Sequence, residues 1–270
     1  MNLLAAGLVS ASSFLHLGWN TAMRSTSGNL RFVWLLVLTG GLFAAAGTVA
    51  LGIPWNFGIV WPWVLATITV HSLYFASLAQ SYRKGALRDV YPAARGGGIL
   101  FSIPLALILF HQVPGVYAVT GACLIAAAVI IPSLRPGGNL ATLAWVLSVA
   151  ALIALYSAID SHSVHFISPW PYISAQYLGT ALVLAPWALS SGQRSPAGPA
   201  ALSGIGSVIS YLLVLYAYQR AAVAPVLALR QIAIAFAPFA GWIVLKEPWQ
   251  VRSMFVSAAI VLGCALIVLR

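Results

Sequence analysis

Charged residues, prolines and glycines divide this chain into apolar stretches close to twenty residues long: 3–22, 33–53, 61–82, 89–110, 116–134, 140–160, 170–190, 199–219, 223–245 and 253–269. That length constrains everything else. A helix of about 20 apolar residues, rising about 1.5 Å each, crosses a hydrocarbon core about 30 Å thick. Lipid offers the backbone no hydrogen-bonding partners, so a spanning segment must close its own N–H and C=O groups as a helix, or join a closed barrel. The short alternating runs of a barrel strand are absent. The expected fold is an all-α integral membrane protein of ten transmembrane helices.

Composition excludes the soluble alternative. Charged residues make up only 6% of the 270 positions and hydrophobic ones 61%, whereas a soluble domain carries about 25% charged residues. Thirteen Lys and Arg oppose three acidic residues. The basic residues sit singly or in pairs at segment ends, where headgroups and topology account for them. No basic stripe interleaved with aromatics points to nucleic acid. The stretch from Met1 to Ala22 has no Lys or Arg ahead of its apolar core. It reads as a first spanning helix rather than a cleaved signal peptide, although Ser10-Ala11-Ser12 would suit a cleavage site. Cys123 and Cys264 lack metal-type spacing and are expected to be small core residues.

The two halves repeat. Shifting residues 74–131 by 136 lays Tyr82 on Tyr218, Lys84 on Arg220, Val90 on Val226 and His111 on Glu247. Shifting the start by 140 lays the segment from Leu15 to Asn20 on that from Leu155 to Asp160. Two units follow, 1–135 and 136–270. Five helices per unit is an odd number, so the second copy must be inverted in the membrane. Inverted repeats with a site between them are a transporter architecture.

Two arginines stand inside apolar stretches at nearly corresponding places. Arg95 precedes Gly96-Gly97-Gly98, and Arg230-Gln231 lies between Pro225 and Pro238. A cation at membrane depth is costly and marks a functional site by default. A guanidinium there binds a carboxylate or phosphate through two parallel bonds. The alternatives are snorkelling and a structural bond to a freed carbonyl. Under the 136-residue shift Arg95 falls on Gln231, so the arginines differ by one residue, or about 100° around a helix. Three glycines weaken a helix by about 1 kcal/mol each, which close helix approach or a bend beside a cavity would explain. Pro238 predicts a kink with carbonyls open to a ligand.

Other candidate binding residues are His16, Trp19 and Asn20, which share a helix face by spacing, and Tyr156, Asp160 and Gln176. His16 suits proton relay near neutral pH, or Trp19 is an interfacial anchor. Asp160 is expected to pair with an arginine, to carry a coupling proton, or to lie exposed at a helix end. Tyr177, Tyr211, Tyr216 and Tyr218 are cavity-lining or packing residues. His162 and His165 have metal-like spacing but no third ligand, so neither a metal nor a cofactor is expected.

Phe14-Leu15-His16-Leu17-Gly18-Trp19-Asn20 with Arg24, Tyr156-Ser157-Ala158-Ile159-Asp160, and Lys246-Glu247-Pro248 after Pro225 and Pro238 together resemble the drug/metabolite transporter superfamily. The likeness is to its ten-helix group of two EamA-type repeats. It implies a multi-pass protein of the bacterial inner membrane. His111 stands where that family has a helix-ending Glu, and the first helix lacks the acidic residue of the small multidrug exporters. Nine Lys and Arg, including Arg83, Lys84, Arg88, Arg135 and Arg252, lie beside connections that share one side, against Arg220 and Arg270 on the other. Charge counting places both termini outside, whereas the resemblance implies cytoplasmic termini.

The expected function is secondary-active transport of small polar metabolites bearing an anionic group, by alternating access, with possible proton coupling and no catalysis. The alternatives are export of amino acids or of aromatic or cationic compounds, and a membrane-embedded lipid-phosphate enzyme.

Overall fold

A computed structural model describes residues 3–110, 115–134, 139–221 and 223–268. His111, Arg135 and Arg270, which entered the sequence reading, lie outside these described residues. The helices are α1 (Leu3–Ser25), α2 (Leu30–Ala50), α3 (Trp61–Lys84), α4 (Leu87–Phe110) and α5 (Val116–Leu134), followed by α6 (Leu140–Ser163), α7 (Pro169–Ser190), α8 (Ala197–Tyr218), α9 (Val223–Leu229), α10 (Ala237–Ile243) and α11 (Val251–Val268). No strand occurs among the described residues. Among the described residues, five stretches are long and apolar enough to cross a membrane by themselves: Leu30–Ala50, Gly58–Lys84, Leu140–Ser163, Ala197–Tyr218 and Val226–Ile243. The outer faces are apolar, with Leu3, Leu182, Leu202 and Phe255 largely exposed. A surface of that kind is stable against lipid rather than water.

The ninth span is broken. Its α-helix stops at Leu229, a 3-10 segment runs over Arg230–Phe236, and α-helix resumes with Pro238 in its first turn. Proline has no N–H to donate to the preceding turn, so the chain upstream loses its regular bonding there. By contrast, α4 stays helical through Pro92 and Pro104.

Helices approach closely through glycine. A Cβ on Gly204 of α8 would lie 2.3 Å from the Leu36 carbonyl of α2, and one on Gly121 of α5 would lie 2.4 Å from the Gly263 carbonyl of α11. Without bulk to keep them apart, backbones gain packing contacts that lipid alone would not drive. The glycine run after Arg95 works in the same way. Cβ atoms there would meet Ile260 from Gly96 at 2.3 Å, Ala150 from Gly97 at 2.7 Å and Ile153 from Gly98 at 2.7 Å. The run therefore serves close approach to α6 and α11 rather than a bend beside a cavity.

Packing follows a paired scheme. The helix α1 lies on α8 as α3 lies on α6; α2 contacts α8 as α3 contacts α7; α2 meets α7 and α5 meets α11. The connections that follow the first, third, seventh and ninth spans gather at one end. Asn29 donates to the Arg194 carbonyl at 2.8 Å, and Arg24 reaches Glu247 at 3.4 Å. Glu247 also caps α4, accepting from the Leu87 N–H at 2.9 Å and facing Arg88 at 3.7 Å. Cys264 is buried, but Cys123 is exposed on α5. The expectation of two core cysteines is thus corrected for Cys123, whose helix face points outward.

Candidate functional site

The two intramembrane arginines meet. Arg95 is 2% exposed and Arg230 1%, so neither snorkels. Arg95 Nη2 donates to the main-chain carbonyl of Arg230 at 3.3 Å. Arg230 begins the 3-10 segment, where helical bonding changes register and frees a carbonyl. The one-residue offset between the arginines assumed a continuous helix at about 100° per residue. A 3-10 turn advances about 120° per residue, so the offset between the two side chains persists, and what joins the arginines is the bond from the Arg95 side chain to the Arg230 main chain.

Both guanidiniums keep unused donors. Nε and Nη1 of Arg95, and Nε and Nη1 of Arg230, are buried with no hydrogen-bond partner among the described residues. An unmet buried polar group costs about 1–3 kcal/mol, and more when charged. No carboxylate lies within ion-pair distance of either guanidinium among the described residues. Arg230 rests over the Tyr211 ring, 5.7 Å from its centroid.

Beside them is a small cavity of about 20 Å³, walled by His16, Trp19, His71, Tyr156, Tyr211 and Arg230. Tyr74, Phe75 and Tyr177 complete its aromatic lining, and Ser207 and Ser210 add hydroxyls. Such a volume holds about one water, so this conformation is closed around the site.

Of the residues expected from sequence, His16, Trp19, Tyr156 and Arg230 share this wall. Asn20 stands one layer out, where its amide donates to the His16 carbonyl at 2.8 Å and its oxygen accepts from Tyr82 at 2.8 Å. Gln231 turns back on its own helix and donates to the Leu227 carbonyl at 2.6 Å. Gln176 is buried in α7 away from the wall, with both amide atoms unpartnered.

Asp160 is fully buried rather than exposed at a helix end. Its Oδ1 accepts from Thr67 at 2.6 Å and from Tyr172 at 2.5 Å, and its Oδ2 accepts from Tyr211. His71 Nε2 lies 3.9 Å from Oδ2. Three hydroxyl donors on one carboxyl group match the acceptor-only character of a carboxylate. The carboxylate therefore does not pair directly with an arginine. It is linked to Arg230 through the Tyr211 side chain.

Sequence reading missed His71, Thr67 and Tyr172. The available signal was weak: a histidine and a threonine four apart inside an apolar stretch, which share a helix face. Among the described residues no group of three His, Cys, Asp or Glu side chains converges as a metal site would require. His162 packs against Trp63, 5.0 Å between ring centroids.

Comparison with known proteins gives a family match and matches to solved structures. Residues 140–269 match the EamA-like transporter family. A crystal structure described only as "Crystal structure of protein" superposes with a TM-score of 0.69 at 16% identity, covering 100% of this chain and 98% of the other. That likeness shows a shared fold. No curated protein matches. The apolar helices and the family match lead to one conclusion: the chain is a multi-pass membrane protein whose second half, residues 140–269, is similar to the EamA-like transporter family.

Proposed function

We propose that the protein moves small organic anions, carboxylates first among them, by alternating access between two inverted five-helix repeats in a bacterial inner membrane. The observation that carries this reading is the set of four unused guanidinium nitrogens on Arg95 and Arg230, buried at one place with no carboxylate in contact. Two guanidiniums against the Asp160 carboxylate leave one positive charge in the core. A cargo with one negative charge neutralises it, and a carboxylate fits the planar guanidinium fork.

The paired packing scheme supports the repeat. Exchanging α1 with α6, α2 with α7, and α3 with α8 turns the α1–α8 contact into α6–α3 and the α2–α8 contact into α7–α3, all of which occur. The aromatic wall supports an apolar body on the cargo. It is also what favours the rival reading, export of aromatic or cationic compounds, but Arg230 stands in that same wall and opposes a cation.

Benzoate is a suitable probe, being a monoanion with a flat apolar ring. In proteoliposomes, labelled benzoate should accumulate in a protein-dependent way, and Arg95→Ala should abolish this while remaining folded in the membrane. Full activity of Arg95→Ala, or uptake of a quaternary ammonium compound in place of benzoate, would overturn the reading.

A further inference from the structure

We propose that His71 and Asp160 form a proton-binding site at the wall of the cavity, and that a proton held there strengthens anion binding at the arginines. The second half of this statement rests on the anion reading above; the first does not.

The hydrogen-bond pattern leaves a vacancy for one proton. The Thr67 carbonyl, 3.0 Å from His71 Nδ1, is only an acceptor. The Thr67 hydroxyl proton is already directed to Asp160, so its oxygen also accepts from Nδ1 at 3.0 Å. Nδ1 therefore carries the hydrogen, which leaves Nε2 of the neutral ring as a bare acceptor. Nε2 faces Asp160 Oδ2 across 3.9 Å. Two acceptors face each other with no hydrogen between them. A proton arriving on Nε2 turns that gap into an imidazolium–carboxylate pair, with a side-chain movement of about 1 Å bringing it to hydrogen-bond distance.

The surroundings let such a proton arrive. His71 lines the cavity, whereas Asp160 lies behind it. On its own helix His71 neighbours Thr67 and Tyr74. From α6 it is stacked on Tyr156 at 4.3 Å between ring centroids, and from α8 it meets Tyr211 at 5.8 Å. From α7, Tyr172 binds the carboxylate, and Arg230 adds a positive charge from the ninth span. Asp160 is the carboxylate facing the ring. His16 lacks such a partner among the described residues, and its charged neighbours are the two arginines. The pair also spans the two halves, His71 from α3 and Asp160 from α6.

Tyr211 links this site to the anion site, since its hydroxyl serves Asp160 and its ring carries Arg230. Protonation raises the core's surplus from one positive charge to two. Linkage makes the effect reciprocal: a bound proton favours the anion, and a bound anion favours the proton by the same factor.

The test is a titration of the protein labelled with ¹⁵N-histidine, reconstituted in lipid nanodiscs and followed by NMR from pH 8 to pH 5. His71→Gln identifies the His71 signals. The expected result is a neutral ring protonated on Nδ1 at pH 8 that converts to imidazolium as pH falls. Asp160→Asn should need at least ten-fold more acid for conversion. Tyr211→Phe, which frees Oδ2 while keeping the carboxylate, should need less. A His71 ring that stays neutral down to pH 5, or one protonated on Nε2 at pH 8, would overturn the proposal. So would conversion unchanged in both variants. Calorimetry with benzoate then tests the link: wild type should bind several-fold tighter at pH 5.5 than at pH 7.5, and His71→Gln should bind equally at both. Equal wild-type affinities would overturn the link. Absence of benzoate binding counts against the anion reading alone, because the titration needs no cargo.

Discussion

Arg95 donates through Nη2 to the carbonyl of Arg230 at 3.3 Å, which ties α4 to the point where the ninth span leaves α-helical geometry. The bond uses one guanidinium nitrogen and leaves two for a ligand. Lysine in its place keeps the charge but has a single nitrogen at the end of a flexible stem. It can serve the carbonyl or an anion, not both in the fork geometry. Arg95→Lys should therefore lower benzoate affinity at least ten-fold, a change of about 1.4 kcal/mol that lies within the range of one charge-assisted bond. Calorimetry on the folded variant measures it, and an affinity equal to wild type would refute the fork.

Glu247 joins α4, α1 and the segment after α10. It caps α4 and faces Arg24 and Arg88, with its side chain 7% exposed. Glu247→Gln removes the charge at the positive end of α4 and leaves two cations without it. Hydrogen bonds to a charged group contribute about 1.5–3 kcal/mol, so thermal unfolding in detergent should drop by several degrees. Arg24→Gln should cost less, about 1 kcal/mol at most, because that side chain is 27% exposed and screened by solvent.

These two cases also show what the sequence made legible. Segment length and proline position give the helices and the weak point of the ninth span, because both depend on local chemistry. The meeting of Arg95 with Arg230 was readable only as a matching depth, since the 3-10 geometry frees the carbonyl that joins them and no periodicity announces it. Asp160 was visible as a lone carboxylate, but its donors Thr67, Tyr172 and Tyr211 come from three other helices. His71 had no sequence partner that would separate it from an ordinary core histidine. Glu247 was visible as a helix-ending residue, whereas its role as the cap of α4 joins positions 160 apart. Long-range polar pairing is decided by packing, and packing in this bundle is set by glycine contacts that composition does not locate.

Those contacts can be tested within one turn of α8. A methyl on Gly204 would lie 2.3 Å from the Leu36 carbonyl, while one on Gly206 meets nothing within 4 Å. Backbone cannot move aside cheaply, so Gly204→Ala should destabilise by about 1–3 kcal/mol. Gly206→Ala should be neutral or stabilising by up to about 1 kcal/mol through helix propensity. Detergent thermal melts should therefore fall for Gly204→Ala and hold or rise for Gly206→Ala. A shared shift would mean that α2 and α8 are not in close contact.

Asn20 and Tyr82 offer a test of how α1 is held against α3 beneath the cavity wall. The buried Tyr82 hydroxyl donates to the Asn20 oxygen at 2.8 Å, and the Asn20 amide donates to the His16 carbonyl. Tyr82→Phe removes the donor and leaves Asn20 with its other bonds, at a cost of about 1 kcal/mol. Asn20→Ala strands the hydroxyl inside the bundle and should cost about 1–3 kcal/mol. The double variant removes both partners, so its cost should fall below the sum of the single costs by at least about 0.5 kcal/mol, as expected for residues in contact. Because His16 and Trp19 lie on the same turn and line the cavity, Asn20→Ala should also weaken benzoate binding, whereas Tyr82→Phe should leave it within about two-fold, less than 0.5 kcal/mol. Strict additivity of the two stability costs would show that the bond does not hold α1 to α3.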